Sequence, residues 1–284
     1  MEIGRVMVVE FVDALIDQMG FRDAEHFYEC LAEQFIIKND QVKYNSGVRW
    51  FIIDDDKDLS TDSSINKNDS IAFSNLTDSL VKKPLSISVL FYGNSTRSYK
   101  DRKKKNPNPI NQTSIQKKER KNFESGHLIA SDLFEYIYSP PTDMRENMFF
   151  QTSYSNRSIG YGDMLPQRII ECIVEYALNN RNMRESKSVE KFYQVMNISK
   201  FSSAYYYRLP SEQHLWYKVS LLYANKENNI ASAVYMQCRT SDNVLNFNVL
   251  IPNIFCEKKQ NSSIIFPKID YQTGKVFEKK YELK

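Results

Sequence analysis

The chain has 284 residues, 42% of them hydrophobic, which suffices for one large domain with a buried core. Its formal net charge is only +3, so total charge does not by itself indicate a polyanionic partner. Near the N-terminus the apolar residues are interrupted by Glu10, Asp13 and Asp17, which argues against a signal peptide and against a membrane span. We therefore expect a cytoplasmic protein, or a secreted one if a leader has been removed from the sequence.

The first predicted elements are two helices and a strand. Residues 5–19 carry apolar side chains at helical spacing and end at Gly20, a residue favoured at helix C-termini. A second helix is predicted to begin near Asp23, whose carboxylate suits the positive end of the helix dipole. Residues 48–53 indicate a strand, and the polar run over 54–70 indicates a solvated loop.

A further strand, over residues 85–92, leads into a segment rich in basic residues. Residues 95–122 have no apolar periodicity, so we predict a mobile loop there. Beyond it, a helix is predicted from Pro166 to about Leu178. Three more strands are indicated over 216–223, 233–238 and 247–250. The order of these elements predicts an α+β fold with a small helical region at the N-terminus.

Basic residues are concentrated between Arg97 and Lys121, where ten of them face only two acidic residues. A solvated spacer and a nucleic-acid contact are both consistent with such a run. Its position just before the residues with catalytic potential favours contact with phosphate groups. The candidates for this contact are Lys103, Lys104, Lys105, Arg120 and Lys121.

The candidate catalytic residues follow this basic run. They are Glu124, Ser125, Gly126 and His127, and further along Asn147, Gln151, Asn156 and Glu171. A neutral imidazole can take a proton from water near pH 7, and carboxamide and carboxylate oxygens are hard ligands that suit Mg²⁺. Taken alone, His127 also fits a turn or a core position, Asn147 and Asn156 fit loop caps, and Glu171 fits a solvent-facing position on a helix. The combination predicts metal-assisted cleavage of a phosphodiester bond.

Together these residues resemble the DNA/RNA non-specific endonucleases of the ββα-metal, or His-Me finger, class, especially streptococcal secreted DNases and DNA-entry nucleases. The motif of that family reads Asp-Arg-Gly-His, then Asn-x-x-x-Gln-x-x-x-x-Asn, then a helical glutamate. Two C-terminal strings, 247–253 and 270–274, are also similar to those enzymes. The resemblance implies a ββα-metal nuclease core around a mainly antiparallel sheet in residues 81–284, with residues 1–80 as an accessory or regulatory region.

The resemblance also implies a role for each matching residue. His127 would be the general base, and Asn156 would be the direct ligand of one Mg²⁺, which Mn²⁺ or Ca²⁺ could replace. Glu171 would hold a metal-bound water, and Asn147 would orient the site around His127. Gln151 is expected to pack or to hold a loop. The substrate would be DNA, or DNA and RNA, cleaved without sequence preference to leave 5′-phosphate ends.

The chain departs from the family motif before Gly-His, where Glu124 and Ser125 replace Asp and Arg. The missing arginine removes a cation that could stabilise charge developing on the phosphate. Arg157, or Arg120 with Lys121, could supply that cation instead. The alternative is a catalytically impaired protein that keeps the nuclease fold and binds nucleic acid or a regulatory partner without turnover.

A nuclease without a leader endangers its own cell, so such an enzyme requires control. An inhibitor protein or self-association through residues 1–80 would provide it, as would delivery to another cell as a toxin or defence effector. No membrane partner is predicted.

Overall fold

A seven-stranded antiparallel sheet forms the centre of the computed structural model. The structure describes residues 12–45, 50–53, 71–76, 83–93, 108–130, 132–136, 144–156, 167–178, 207–258, 264–265, 267–277 and 282–283. The predicted loop over 54–70 lies outside these residues, as do Lys103, Lys104, Lys105 and Arg157.

The helices of the described chain are α1 (described over 12–18), α2 (Ala24–Phe35), α3 (Lys117–Arg120), α4 (Ser153–Asn156) and α5 (Gln167–Ala177). The strands of the central sheet are β1 (Val42–Asn45), β2 (Trp50–Ile53), β3 (Ile71–Leu76), β4 (Lys83–Tyr92), β7 (His214–Leu222), β8 (Ala233–Thr240) and β9 (Asn246–Pro252), with β5 (Glu124–His127) and β6 (Met148–Gln151) forming a separate antiparallel pair. Short strands near the C-terminus are β10 (Glu257–Lys258), β11 (Ile264–Ile265), β12 (Lys268–Ile269), β13 (Val276–Phe277) and β14 (Glu282–Leu283).

Neighbouring strands of the central sheet follow the order β1-β2-β9-β8-β7-β4-β3. The pleat places Tyr217 of β7 and Tyr235 of β8 on opposite faces, because Tyr217 pairs with Cys238 and Tyr235 with Ser220. On the Tyr235 face, Phe35 of α2 stacks against that tyrosine. On the other face, burial raises the pKa of the Tyr217 phenol, and the nearby carboxylate of Glu171 in α5 raises it further. The sheet therefore lies between α2 on one side and α5 on the other.

The predicted helix ends near the N-terminus are confirmed by their backbone geometry. Gly20 has φ +83°, a conformation that costs a residue with a side chain considerably more than it costs glycine. Asp23 is the N-cap of α2, and its carboxylate accepts a 2.8 Å hydrogen bond from the backbone N–H of His26. Both residues act locally, which explains why the sequence alone indicated them.

Most of the other predicted elements are confirmed with small changes in their ends. The strand predicted over 85–92 is β4, and the strands predicted over 216–223, 233–238 and 247–250 are β7, β8 and β9. The helix predicted to begin at Pro166 is α5. All four cysteines of the chain lie in its described part, are buried and remain unbridged thiols.

The prediction of a loop throughout 95–122 is wrong in its second half. A 3-10 turn over Gln112–Ser114 and the helix α3 lie there. The physical reason is anchoring at both ends, because Ile115 and Phe123 are buried in a small second core. Two apolar residues separated by a short polar helix give no periodic pattern, so the element is not predictable from the sequence.

The first 80 residues contribute more than helices. Strands β1 and β2 lie at one edge of the central sheet, where β2 pairs with β9. Phe27 of α2 and Phe51 of β2 are buried in the main core and stack against each other. The predicted regulatory role of residues 1–80 stays a prediction. Within the described residues, no helix combines the length and apolar character that crossing a bilayer requires.

Candidate active site

Strands β5 and β6 and the helix α4 bring the predicted motif together. The two strands pair with Glu124 opposite Gln151, Ser125 opposite Phe150 and His127 opposite Met148. Because side chains alternate along a strand, Ser125 and His127 lie on one face of the pair and Glu124 lies on the other. Helix α4 follows β6 and packs against both β5 and α5.

Asn147 holds the backbone that follows His127. Its side-chain oxygen accepts a 3.0 Å hydrogen bond from the N–H of Ile129, and its amide nitrogen donates to the carbonyl of Ile129 at 2.8 Å. The backbone carbonyl of Asn147 accepts a third bond from Leu128 at 2.8 Å. The Asn147 side chain is completely buried, whereas that of His127 is half-buried. Asn147 therefore fixes the chain next to the imidazole and has no exposed surface of its own.

Gly126 is required because the side chain of Gln151 crosses directly over it. A Cβ atom at position 126 would lie 2.1 Å from Oε1 and 2.6 Å from Cβ of Gln151. Gln151 is fully buried, and its Nε2 donates a 3.0 Å hydrogen bond to Oε1 of Gln167 in α5. Contact between Gln151 and α5 thus depends on the absence of a side chain in the Gly-His motif.

Asn156, at the end of α4, is linked to β5 through Glu124. Its Nδ2 donates a 2.6 Å hydrogen bond to Oε2 of Glu124. A carboxylate cannot donate, so this contact assigns the amide nitrogen to Glu124 and leaves the Asn156 carbonyl oxygen available to a cation. The charge-assisted bond also limits rotation of the amide.

Glu171 lies on α5 and is only 6% exposed. Its Oε1 accepts a 3.0 Å hydrogen bond from Gln167, and its Oε2 lies 3.8 Å from Nη1 of Arg168. Burial raises the pKa of Glu171 to about 8, although Arg168 and the Gln167 bond both act in the opposite direction. Arg168 is engaged mainly by Glu175, at 2.7 Å. Glu171 is therefore a buried carboxyl group whose charge is only partly compensated by the protein.

Two residues that support the site were not predicted. Gln167, 2% exposed at the start of α5, contacts the backbone after the motif as well as Gln151 and Glu171. Its position four residues before Glu171 was the available signal, since residues at i and i+4 are neighbours on a helix.

The second unpredicted residue is Asn253, which directly follows β9 and is completely buried. Its Oδ1 accepts hydrogen bonds from the N–H of Thr152 at 2.9 Å and from the hydroxyl of Ser155 at 3.0 Å. Its Nδ2 donates to the carbonyls of Phe150 and Ala231. Asn253 thus ties the β6–α4 junction to the central sheet. The sequence feature that could have indicated Asn253 was its position at the end of the segment 247–253, which was singled out from the sequence.

The predicted phosphate contacts are only partly placed by the described structure. Arg120, at the end of α3, is half-buried and lies four residues before Glu124, with its Nη1 3.4 Å from Oε1 of Gln112. Lys121 is exposed. Of the five candidate phosphate contacts named from the sequence, these two are the ones that the structure describes.

The donor atoms suit a hard divalent cation. Asn156 offers a carboxamide oxygen, and the carboxylates of Glu124 and Glu171 belong to the same group of packed elements. Among the described residues, no group of three or more His, Cys, Asp or Glu side chains could hold a metal ion. A single carboxamide oxygen of this kind is typical of hard divalent cations that keep most of their waters.

Comparison with known proteins shows the fold. Neither a protein-family model nor a curated protein sequence matches the chain. The crystal structure of NucA from Streptococcus agalactiae with magnesium bound is 16% identical, with a TM-score of 0.51 over 88% of this chain and 94% of NucA. The metal-free form of NucA is 18% identical, with a TM-score of 0.53 over the same shares. The Sda1 nuclease with bound zinc gives a TM-score of 0.42 at 15% identity, over 74% of this chain and 81% of Sda1. The chain therefore has the fold of NucA, as its resemblance to streptococcal nucleases predicted.

Proposed function

We propose that this protein is a Mg²⁺-dependent endonuclease that cleaves DNA, or DNA and RNA, without sequence preference. The observation that carries the proposal is the hydrogen bond between Asn156 and Glu124, which presents a carboxamide oxygen on the scaffold that bears His127. The shared fold supports it, because NucA is known in a magnesium-bound form.

His127 acts as the general base in the proposed reaction. Its imidazole takes a proton from the water that attacks phosphorus, a role typically worth about 10² to 10⁴ in rate. Asn147 supports this step because its three hydrogen bonds fix the backbone that follows the histidine. His127 is only half-buried, whereas the Asn147 side chain beside it is completely buried.

Asn156 would hold the metal through Oδ1, and Glu171 would accept a hydrogen bond from one of its waters. A bound Mg²⁺ supplies a Lewis acid that polarises the phosphate and stabilises the leaving oxygen. Glu124 keeps the Asn156 amide in one orientation, which leaves its carbonyl oxygen for the cation. Supporting residues of this kind commonly change metal affinity or activity by about 10–100-fold when they are removed.

Contacts to phosphate rather than to bases explain the proposed lack of sequence preference. Lys121 and Arg120 lie just before β5, close in the chain to His127, and carry positive charge. Cations that contact phosphates give affinity without reading sequence, and they make binding sensitive to salt. Attack by water with departure of the 3′ oxygen would leave 5′-phosphate ends.

Nicking of supercoiled plasmid DNA tests this proposal. The assay compares the wild-type protein in Mg²⁺ and in EDTA with the variants His127→Ala and Asn156→Ala. His26→Ala and Asn246→Ala are matched controls, because they remove the same residue types from α2 and from an exposed position of β9. We expect Mg²⁺-dependent nicking that falls at least 100-fold in the two site variants and stays within about twofold in the controls.

Two outcomes would contradict the proposal. Binding of DNA without nicking in any divalent ion would support the alternative, a nuclease fold that binds without turnover. If His127→Ala folds and nicks DNA at the wild-type rate, His127 is not the general base.

A further inference from the structure

The side-chain amide of Gln167 contacts three elements of the site at once. Its Nε2 lies 2.5 Å from the carbonyl oxygen of His127 and 3.1 Å from that of Leu128, both in or next to β5. The same nitrogen lies 3.0 Å from Oε1 of Glu171 in α5. Its Oε1 accepts a hydrogen bond from Gln151 in β6.

These contacts cannot all be strong at the same time. An amide nitrogen carries two hydrogen atoms, and here it faces three acceptors, so at least one hydrogen is shared. Gln167 is almost completely buried, which excludes water as a regular substitute for a lost partner. A change in the position of the Glu171 carboxylate therefore changes how the two amide hydrogens are shared with the carbonyls of His127 and Leu128.

We infer that Gln167 is a positioning residue that couples His127 to Glu171. Its amide fixes the backbone of His127 and orients the carboxylate of Glu171. It thereby sets the distance between the His127 imidazole and the proposed metal. This inference rests on the proposed function for the meaning of that distance. The contacts that carry it come from the structure alone.

The opposing explanation is that Gln167 merely attaches α5 to β5. The chain offers a matched example of such an attachment in Gln34 of α2. Its Nε2 donates to the carbonyl of Tyr223 at 2.8 Å, and its Oε1 accepts from the N–H of Tyr223 at 3.2 Å. Gln34 makes no contact with a predicted site residue among its described hydrogen bonds. Gln167→Met and Gln34→Met therefore remove the same amide at similar side-chain length.

The first measurement is the Mg²⁺ dependence of nicking. In Gln167→Met we expect kcat to fall about 10–100-fold, KM for plasmid to stay within about twofold, and the half-saturating Mg²⁺ concentration to rise several-fold. Gln34→Met should keep kcat and Mg²⁺ dependence within about twofold. If Gln167→Met does not fold, Gln151→Met can replace it, because this variant removes the hydrogen bond to Oε1 of Gln167. It should change kcat and the half-saturating Mg²⁺ concentration in the same direction but by less.

The second measurement does not require turnover. The chain has three histidines, so isotope labelling of histidine gives three ring Hε1 signals in an NMR spectrum. Mn²⁺ alone, added in place of Mg²⁺, broadens each signal according to its distance from the metal. The signals of His26 and His214 serve as internal references. We expect the broadening of His127 at saturating Mn²⁺ to change at least twofold in Gln167→Met and to be unchanged in Gln34→Met.

The outcomes separate this inference from the proposed function. Nicking by the wild-type protein with identical kcat, Mg²⁺ dependence and His127 broadening in Gln167→Met would overturn the positioning role alone. If the wild-type protein binds Mn²⁺ near His127, as broadening of its signal would show, and yet never nicks DNA, that result would overturn the proposed nuclease function. The variants would then still test the positioning role of Gln167 by NMR. Absence of broadening at wild-type His127 would overturn both.

Discussion

The amide of Asn156 donates a 2.6 Å hydrogen bond to the carboxylate of Glu124. The two residues lie 32 positions apart, at the end of α4 and at the start of β5, so the bond exists only when the strand pair and the helix have assembled. It makes the orientation of the proposed metal ligand depend on a residue of the Gly-His motif. Glu124 thereby orients the amide of the proposed ligand.

Removal of Glu124 should weaken metal binding more than it weakens folding. In Glu124→Ala the Asn156 amide loses its acceptor, and we expect the half-saturating Mg²⁺ concentration for nicking to rise about tenfold. Glu124→Gln keeps an acceptor oxygen and should give a smaller rise. Glu212→Ala, at an exposed position, is the control for loss of one carboxylate. Equal Mg²⁺ dependence in Glu124→Ala and wild type would show that the bond does not orient the ligand.

A methyl group at position 126 should destabilise the fold. In Gly126→Ala the new Cβ would lie 2.6 Å from Cβ of Gln151, so the Gln151 side chain must move away from α5. We expect a loss of about 1–3 kcal/mol in the free energy of unfolding, the usual cost of overpacking, measured by urea denaturation. Ser125→Ala, one residue earlier on the other face of β5, should change it by less than about 0.5 kcal/mol. A stable Gly126→Ala protein would mean that Gln151 can leave at no cost.

The raised pKa of Glu171 predicts a pH dependence of stability. Its pKa is about 8 in the folded protein against the usual 4.5, because burial disfavours the carboxylate. Between these pH values the folded protein holds a proton that the unfolded chain has released, so metal-free stability should fall as pH rises through this range. We expect Glu171→Gln to remove on the order of 3 kcal/mol of this pH dependence, measured by urea denaturation in EDTA from pH 5 to 8.

The same titration has a consequence for metal binding. A protonated Glu171 is a weaker acceptor than the carboxylate for a hydrogen bond from a metal-bound water, so Mg²⁺ affinity of the wild type should increase towards pH 8. In the measurement of stability against pH, the difference between wild type and Glu171→Gln removes the contribution of the other titratable groups. Equal slopes of stability against pH in the two proteins would contradict a raised pKa of Glu171.

An arginine at position 125 should raise the rate. Strand alternation places Ser125 on the same face of β5 as His127, so a guanidinium there could stabilise charge on the phosphate. We expect kcat of Ser125→Arg to increase about tenfold with unchanged Mg²⁺ dependence. Ser211→Arg adds the same charge in an exposed turn before β7 and should leave kcat unchanged. An unchanged kcat in Ser125→Arg would show that another cation already fulfils the arginine's role.

Local signals made much of the fold predictable from the sequence. Gly20 and Asp23 mark helix ends through their own backbone preferences, and the apolar pattern of α5 identifies its buried face. The burial of Glu171 was not predictable, because it depends on how α5 packs against a sheet built from distant segments. Gln167 and Asn253 were missed for the same reason, since several of their hydrogen bonds join residues 39 to 103 positions apart.

The predicted control through residues 1–80 remains a prediction. The structure shows that β1 and β2 belong to the central sheet, so the described part of this region cannot detach without exposing the edge of β9. Any inhibitor or second copy that binds here would contact an integral part of the fold.

The central claim is that His127 is the base of a Mg²⁺-dependent endonuclease. Plasmid nicking by His127→Gly with added imidazole tests it most directly, because the free base can occupy the space that the side chain leaves. We expect almost no nicking by His127→Gly without imidazole. In Mg²⁺, but not in EDTA, added imidazole should restore its nicking in a saturable manner. Imidazole should not restore nicking by Asn156→Ala. Nicking by His127→Gly at the wild-type rate, or by any of these proteins in EDTA, would contradict the claim.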